Sequence, residues 1–330
     1  MDPIYFLETI IKVLVVLLIF SAIAGFTTYI ERKILAFMQR RLGPVHVGPA
    51  GVLQILADGI KLFTKEDFVP QNANKPIFMI APVITAATAF IAMSAVPFIP
   101  SFNIGGYTVT PIISDINIGL LFVLGVMATG LYGPLLAGMA SGNKWALLGG
   151  ARTTIQLLSY EIVTGLSILA PLMLVGSLSL IDINNYQSGG IFDWLLFTQP
   201  VAFILFLIAG FAETNRTPFD LLEHEAELIA GYATEYSGMR WGMFFIGEYA
   251  NLFTVSFLVA LIFMGGFNDL WFIPGGIAII LKVMFLIFFF LWTRASWPHI
   301  RPDQLMWLCW KVLMPIAVIN IIITGLVIML

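Results

Sequence analysis

Charge is what this sequence has least of. Only 11% of its 330 residues are Asp, Glu, Lys or Arg, and 59% are hydrophobic. Soluble domains carry roughly 25% charged residues, so a soluble fold is excluded. Cysteine is nearly absent too: the single Cys309 excludes an internal disulfide, a zinc knuckle and a cysteine-ligated iron–sulfur cluster within the chain. The amino terminus, Met-Asp-Pro-Ile-Tyr, lacks the basic region of a signal peptide and leads into an apolar run too long for one, so the first helix reads as a retained span. G-x-S-x-G, G-x-G-x-x-G and G-x-x-x-x-G-K-[ST] are missing, which leaves no sequence signature for a serine hydrolase or for nucleotide binding. A net charge of −3 implies no polyanionic partner and no nucleic acid.

What is present is apolar length. Eight runs stand out, at about residues 4–30, 77–99, 115–139, 153–177, 192–213, 241–265, 273–293 and 305–330, each read as crossing the hydrocarbon core. The expectation is an all-α integral membrane protein, a single membrane domain over 1–330 with about eight transmembrane helices plus interfacial and cytoplasmic amphipathic helices. Thirteen of the sixteen basic residues fall in the loops after spans one, three, five and seven, and the remaining three, Lys12, Lys282 and Lys311, lie within spans. By the positive-inside rule those loops face the cytoplasm (or the matrix of an organelle) and both termini face outward.

Two cytoplasmic segments are too elaborate for connectors. In the first, residues 31–76, the stretch 50–63 reads as a helix with Val52, Ile55, Leu56, Ile60 and Phe63 on one face and Gln54, Asp58 and Lys61 on the other. Two readings stay open for it: a surface anchor, or the floor of a cavity that admits an apolar substrate from the lipid. In the second, residues 213–240, Thr217 is read as an N-cap with Pro218 at the first helical position. Six carboxylates (Glu213, Asp220, Glu223, Glu225, Glu227 and Glu235) meet only Arg216 and Arg240. His224 lacks the paired Glu-x-x-His elements of a di-metal site, so no metal is expected. A solvated acidic face is the ordinary reading of such a run, but clustered carboxylates at a membrane mouth also suit proton uptake.

Within the bilayer, Glu161 and Glu248 each lie about eight residues into a span that starts on the cytoplasmic side, or roughly 12 Å deep at about 1.5 Å per residue. Carboxylates at that depth mark ion or proton paths by default, against the plainer reading of a hydrogen-bonded Glu that glues helices together. Glu8 and Lys12 are spaced to pair, Lys311 to snorkel beside Trp307 and Trp310, and His46 and His299 read as loop hydrogen-bonding residues.

The stretch ERKILAFMQRRLGPVHVGPAGVLQILADGIKLFTKE (Glu31–Glu66) resembles the first signature of the complex I membrane subunit called H in bacteria and subunit 1 in mitochondria. ETNRTPFDLLEHEAELIAGYATEYSG (Glu213–Gly238) with FFIGEY (Phe244–Tyr249) resembles its second, and Gly133–Glu161 and Arg301–Lys311 match in order between and after them. The resemblance implies a non-redox subunit of a proton-pumping NADH:quinone oxidoreductase in the bacterial inner (plasma) membrane, or an organelle inner membrane. Quinone is its substrate, while FMN and iron–sulfur clusters belong to partner subunits. It places Arg32, Gln39 and Arg41 at the quinone chamber, and Glu31, Glu161, Glu213, Asp220, Glu223, Glu225, Glu227, Glu235 and Glu248 in an acidic proton or coupling path. His224, His299 and Pro302 depart from the family pattern. Two competing classes share the buried acids: a membrane subunit of an energy-converting hydrogenase, and a stand-alone ion–proton transporter.

Overall fold

A computed structural model of the chain describes residues 3–98, 102–104, 107–109, 113, 116–220, 230–270 and 273–330. Helices dominate it, as they must where hydrocarbon leaves the backbone no partner but itself. In chain order they are α1 (Pro3–Met38), α2 (Gln54–Thr64), α3 (Lys75–Met93), α4 (Gly119–Thr129), α5 (Tyr132–Ala140), α6 (Lys144–Val175), α7 (Leu180–Tyr186), α8 (Leu195–Thr198), α9 (Pro200–Glu213), α10 (Gly238–Phe263), α11 (Gly275–Ser296), α12 (Pro302–Leu308) and α13 (Met314–Met329). Two short strands, Phe102–Ile104 and Tyr107–Val109, pair antiparallel between α3 and α4. Among the described residues seven stretches are long and apolar enough to cross a membrane: α1, α3, α4–α5, α6, α10, α11 and α12–α13. The chain is an integral membrane protein.

The expected span 192–213 is the one that differs. It divides into a short 3₁₀ turn, α8 and the 14-residue α9. Fourteen residues reach only about 21 Å, short of the roughly 30 Å hydrocarbon core. The break has a local cause: Pro200 disfavours the α conformation in the residue before it, and Gln199 sits at φ −132°, ψ 57°. The expected helix at 50–63 likewise begins late. Ala50 and Gly51 adopt positive φ (54° and 81°), so Pro49–Gly51 forms a separate turn and α2 starts at Gln54. Thr217 and Pro218 lie in a turn, joined by a cis peptide, rather than opening a helix.

Helix α10 is the centre, with 72% of its most apolar stretch buried against 11% for α1 and 17% for α12–α13. It packs on α1, α3, α9 and α11. Small residues let the remaining helices close in. An added Cβ on Gly133 would lie 1.8 Å from Thr85 Oγ1, and one on Gly138 would lie 3.2 Å from Gly150 Cα. Gly149 presses on the turn at 230–233, where an added Cβ would meet Gly231 Cα at 2.6 Å.

The loops that carry the basic residues are tied together at one end of the bundle, called the basic end below. There Asn74 N donates to Ala140 O (2.9 Å), Ser237 Oγ to Glu66 O (3.2 Å) and Ile300 N to Pro218 O (3.1 Å). Arg240 pairs with Asp67 at 2.9 Å. At the opposite end buried Gln187 donates to Ile183 O and Leu261 O (3.1 Å each) and accepts from Leu195 N and Gly265 N. Lys282 closes that end by donating to Gly266 O at 2.9 Å, its ammonium 4.4 Å over Trp194.

Between α12 and α13, residues Cys309–Leu313 form a π-helical turn, with Met314 N donating to Cys309 O. Pro315 explains its place. A proline ring clashes with the carbonyl four residues back and brings no N–H, and lengthening the preceding turn by one residue relieves both problems. Past this turn Asn320 and Thr324 face α9, where Gln199 donates to Thr324 Oγ1 (3.0 Å) and accepts from Asn320 Nδ2 (3.2 Å).

Candidate functional site

At the basic end, Glu31 near the end of α1 meets cations from two distant parts of the chain. Arg216, in the turn after α9, donates through Nη1 to both carboxylate oxygens at 2.9 and 3.0 Å. Arg294, in the last turn of α11, pairs with Oε1. Tyr249 of α10 donates its hydroxyl to Oε2 at 2.6 Å, and the Arg216 guanidinium stacks 4.5 Å over the Tyr249 ring. Glu31 and Arg216 are each 3% exposed, so their charges are compensated within the cluster rather than by water. Burial works against the Arg216 charge, but the Glu31 carboxylate beside it prevails and holds its pKa above the ordinary value. Glu248 adds to the negative field at Arg216 and so stands in the same electrostatic neighbourhood.

Deeper in the bundle, Glu161 of α6 and Glu213 at the end of α9 line one cavity of about 230 Å³. Its other walls are largely apolar, with Leu121 and Leu124 from α4, Phe206 from α9, and Val255 and Leu258 from α10. Gly125 and Gly165 also border it, and an added Cβ at either would meet nothing, so the space between α4 and α6 is open at this level. Two carboxylates thus border one largely apolar cavity.

A second group of acids lies outside that cavity. Tyr232 donates to Glu248 Oε1 at 3.4 Å. Glu235 accepts from Asn143 Nδ2 at 2.7 Å and borders an open polar cavity of about 420 Å³ with Gln71, Asn72, Ser141 and Lys144. Tyr236 stacks on Phe78 (4.0 Å) and donates to its carbonyl (3.2 Å), and burial raises its phenol pKa. Asp220 is buried beside the Arg216 turn. Glu223, Glu225, Glu227 and His224 lie outside the described residues.

The three residues expected at a quinone chamber are placed in two groups. Arg32 pairs with Asp58 of α2 at 2.6 Å, and Asp58 also accepts from Gln54 Nε2 at 3.0 Å. Arg41 donates to Gln39 Oε1 at 2.7 Å on the exposed stretch after α1. Helix α2 is held close to α1, since an added Cβ on Gly25 would lie 2.9 Å from Ile55 Cγ2, and Tyr29 donates to Ala50 O at 2.8 Å. Its outer apolar face stays uncovered by the described residues, with Leu56, Ile60 and Phe63 exposed by 63%, 64% and 74%. Sequence alone marks Arg216 and Arg294 only as loop charges and does not single out Tyr232 or Tyr249. The one usable signal is that Tyr249 follows Glu248 directly.

A family model described as NADH dehydrogenase matches residues 11–325. The H subunit of NADH-quinone oxidoreductase from Nitratiruptor sp. is 77% identical over 327 residues, covering 99% of each chain. That of Wolinella succinogenes is 77% identical over 326 residues, again 99% of each. That of Helicobacter pylori strain Shi470 is 62% identical over 325 residues, 98% of this chain and 99% of its own.

Proposed function

The chain belongs to the family of NADH-quinone oxidoreductase H subunits, the membrane subunit of complex I, and from that premise we propose that it couples quinone reduction to proton movement through its buried acids. The observation that carries this reading is the cavity shared by Glu161 and Glu213. A carboxylate inside a membrane bundle is costly unless it has work to do, and two on one cavity form a natural two-site relay. Electrons arrive from partner subunits that hold the FMN and iron–sulfur clusters, and quinone enters from the bilayer along the exposed face of α2. Arg32, Gln39 and Arg41 border its chamber, and the segments 31–76 and 213–240 form the surface against which the peripheral subunits dock. That surface faces the cytoplasm, with both termini outside the inner membrane.

In this reading the acids divide by role. Glu31 is a fixed anion, held by two guanidinium groups and a hydroxyl, and it positions Arg216 beside Glu248. Glu235, on the open polar cavity, takes protons from solvent, and Asp220, Glu223, Glu225 and Glu227 form the approach. Glu248, Glu213 and Glu161 carry the charge change inward. Reduction of quinone draws protons and alters the field at the Arg216 cluster, and a change at Arg216 acts directly on Glu248.

The test is Glu161→Gln and Glu213→Gln in the native complex, each assayed for quinone reduction and for proton pumping into vesicles. Loss of pumping of at least tenfold with normal complex content is expected. Full turnover and pumping in both variants would sink the relay assignment.

A further inference from the structure

Four buried side-chain polar atoms have no hydrogen-bond partner among the described residues, and three of them are amide oxygens: Gln156 Oε1, Asn215 Oδ1 and Asn251 Oδ1. A buried acceptor costs free energy until a donor reaches it, so each such atom asks for an explanation. Gln156 and Asn215 lie about the turn that follows Glu213, and Asn251 lies on α10, the helix that gives Val255 and Leu258 to the acid cavity. Gln156 donates through Nε2 to Ala212 O (3.2 Å) and Phe219 O (2.7 Å), which sets its oxygen at the turn following Glu213. Asn215 lies in that turn, at φ 48°.

Asn251 is the most telling of the three, because helix geometry fixes where it stands. At about 100° per residue it falls about 20° from Leu258 and about 40° from Val255 around the α10 axis. Both of those residues line the cavity. Glu248 lies about 60° away and one turn nearer the basic end, by the same count. Height follows from a close approach between α9 and α10: an added Cβ on Gly210 would lie 2.7 Å from Val255 Cγ1. The two helices are joined at the basic end and run antiparallel. Glu213, three residues past Gly210, is therefore level with residue 252. Asn251 thus stands at the height of Glu213, on the cavity side of α10, between Glu248 and the Glu161/Glu213 pair.

We propose that Asn251 is a positioning residue of the acid path, whose amide oxygen accepts a hydrogen bond from the water or protonated carboxyl that joins Glu248 to the Glu161/Glu213 cavity. The proposal rests on the relay reading given above and adds to it the link that the carboxylates lack. An amide oxygen suits the task. It accepts from a water or a carboxylic acid, cannot itself take up a proton near neutral pH, and so orients the donor without trapping the charge. Asn215 and Gln156 present the same acceptor chemistry around the Arg216 turn, and Asn251 is the one placed between two acids.

The experiment uses the whole complex in native membranes. Asn251→Leu keeps the branched shape and removes the acceptor, while Asn251→Gln keeps an amide oxygen that cannot take up a proton. Asn251→Leu is expected to lower NADH-driven proton pumping roughly tenfold at unchanged complex content, the effect of one lost hydrogen bond of ordinary strength. Asn251→Gln is expected to stay within about threefold of the parent. Pumping within twofold of the parent in Asn251→Leu overturns the proposal. So does an equal loss in both variants, which would mean that shape rather than the acceptor matters. Should Asn251→Leu not assemble, Asn251→Val, smaller and also without an acceptor, is read by the same criteria. Glu161→Gln and Glu248→Gln run in parallel separate the two levels. If they pump normally the relay itself fails, whereas if they are impaired while Asn251→Leu is normal, only the Asn251 assignment fails.

Discussion

Glu31→Gln is the change that most directly probes how the basic end holds together. The substitution leaves shape nearly unaltered and removes one negative charge from a site where Arg216, Arg294 and Tyr249 all converge. A glutamine oxygen can serve one or two of those donors, and its amide nitrogen is itself a donor turned toward guanidinium groups. One buried cation, Arg216, and one half-buried cation, Arg294, then face each other without the carboxylate between them. Breaking a buried ion pair by removing one partner costs about 3–5 kcal/mol. That corresponds to a change of roughly a hundredfold to a few thousandfold in the folded ratio, from a total stability of only about 5–15 kcal/mol. The only cysteine, Cys309, is buried and so provides the readout. Its alkylation in the purified complex, followed against temperature by mass spectrometry, reports opening of this chain. Glu31→Gln is expected to shift that midpoint down by several degrees. Removing one cation as well, in Glu31→Gln/Arg294→Gln, should recover at least about 1 kcal/mol relative to the sum of the single changes, since contacting residues couple by about 0.5–3 kcal/mol. A midpoint within one degree of the parent for Glu31→Gln, or strict additivity in the double variant, would refute the cluster as an electrostatic unit.

Two further outcomes follow from geometry. Gly133→Ala places a methyl 1.8 Å from Thr85 Oγ1, so α3 and α5 must separate and the subunit should be largely lost from membranes; Gly133→Ala/Thr85→Ala should recover part of it on an immunoblot, and equal loss in both would show that the contact is not the cause. Arg32→Ala breaks only an exposed pair with Asp58, worth at most about 1 kcal/mol of stability, so a KM for a soluble quinone raised fivefold or more at unchanged melting temperature marks a role in substrate binding, and an unchanged KM removes Arg32 from the chamber.

The membrane character of the chain and seven of its eight expected spans were legible because length and apolarity alone define a crossing. The fifth was not, because Pro200 interrupts its apolar run and hydropathy sums over a break that backbone sterics impose. The amphipathic face of α2 followed from periodicity, but its start did not, because the positive φ of Ala50 is a tertiary outcome tied to the Tyr29 contact. Depth in the spans singled out Glu161 and Glu248, yet nothing in their spacing pairs Glu161 with Glu213 in one cavity. Glu31 and Arg294 are 263 positions apart, and no local pattern announces a partner at that distance. Asn251 was invisible for a different reason. One amide among the several polar residues of α10 forms no pattern, and the role proposed for it lies in which acids flank it once the helices are packed.

The π-helical turn at Cys309–Leu313 has a bearing on what lengths this chain can tolerate. By taking up one residue of slack it keeps the rotational phase of everything downstream, and that phase turns Asn320 and Thr324 toward Gln199. Five residues at about 80° turn the chain about as far as four at about 100°, so deleting one residue inside that turn would keep the phase of α13. Deleting one between Pro315 and Asn320 would instead rotate the rest of α13 by about 100° and swing the polar pair away from Gln199. The carboxyl-terminal helix is thus indexed like a key cut to one angle: the π turn can absorb a change of one residue in the count, and the stretch between it and Asn320 cannot.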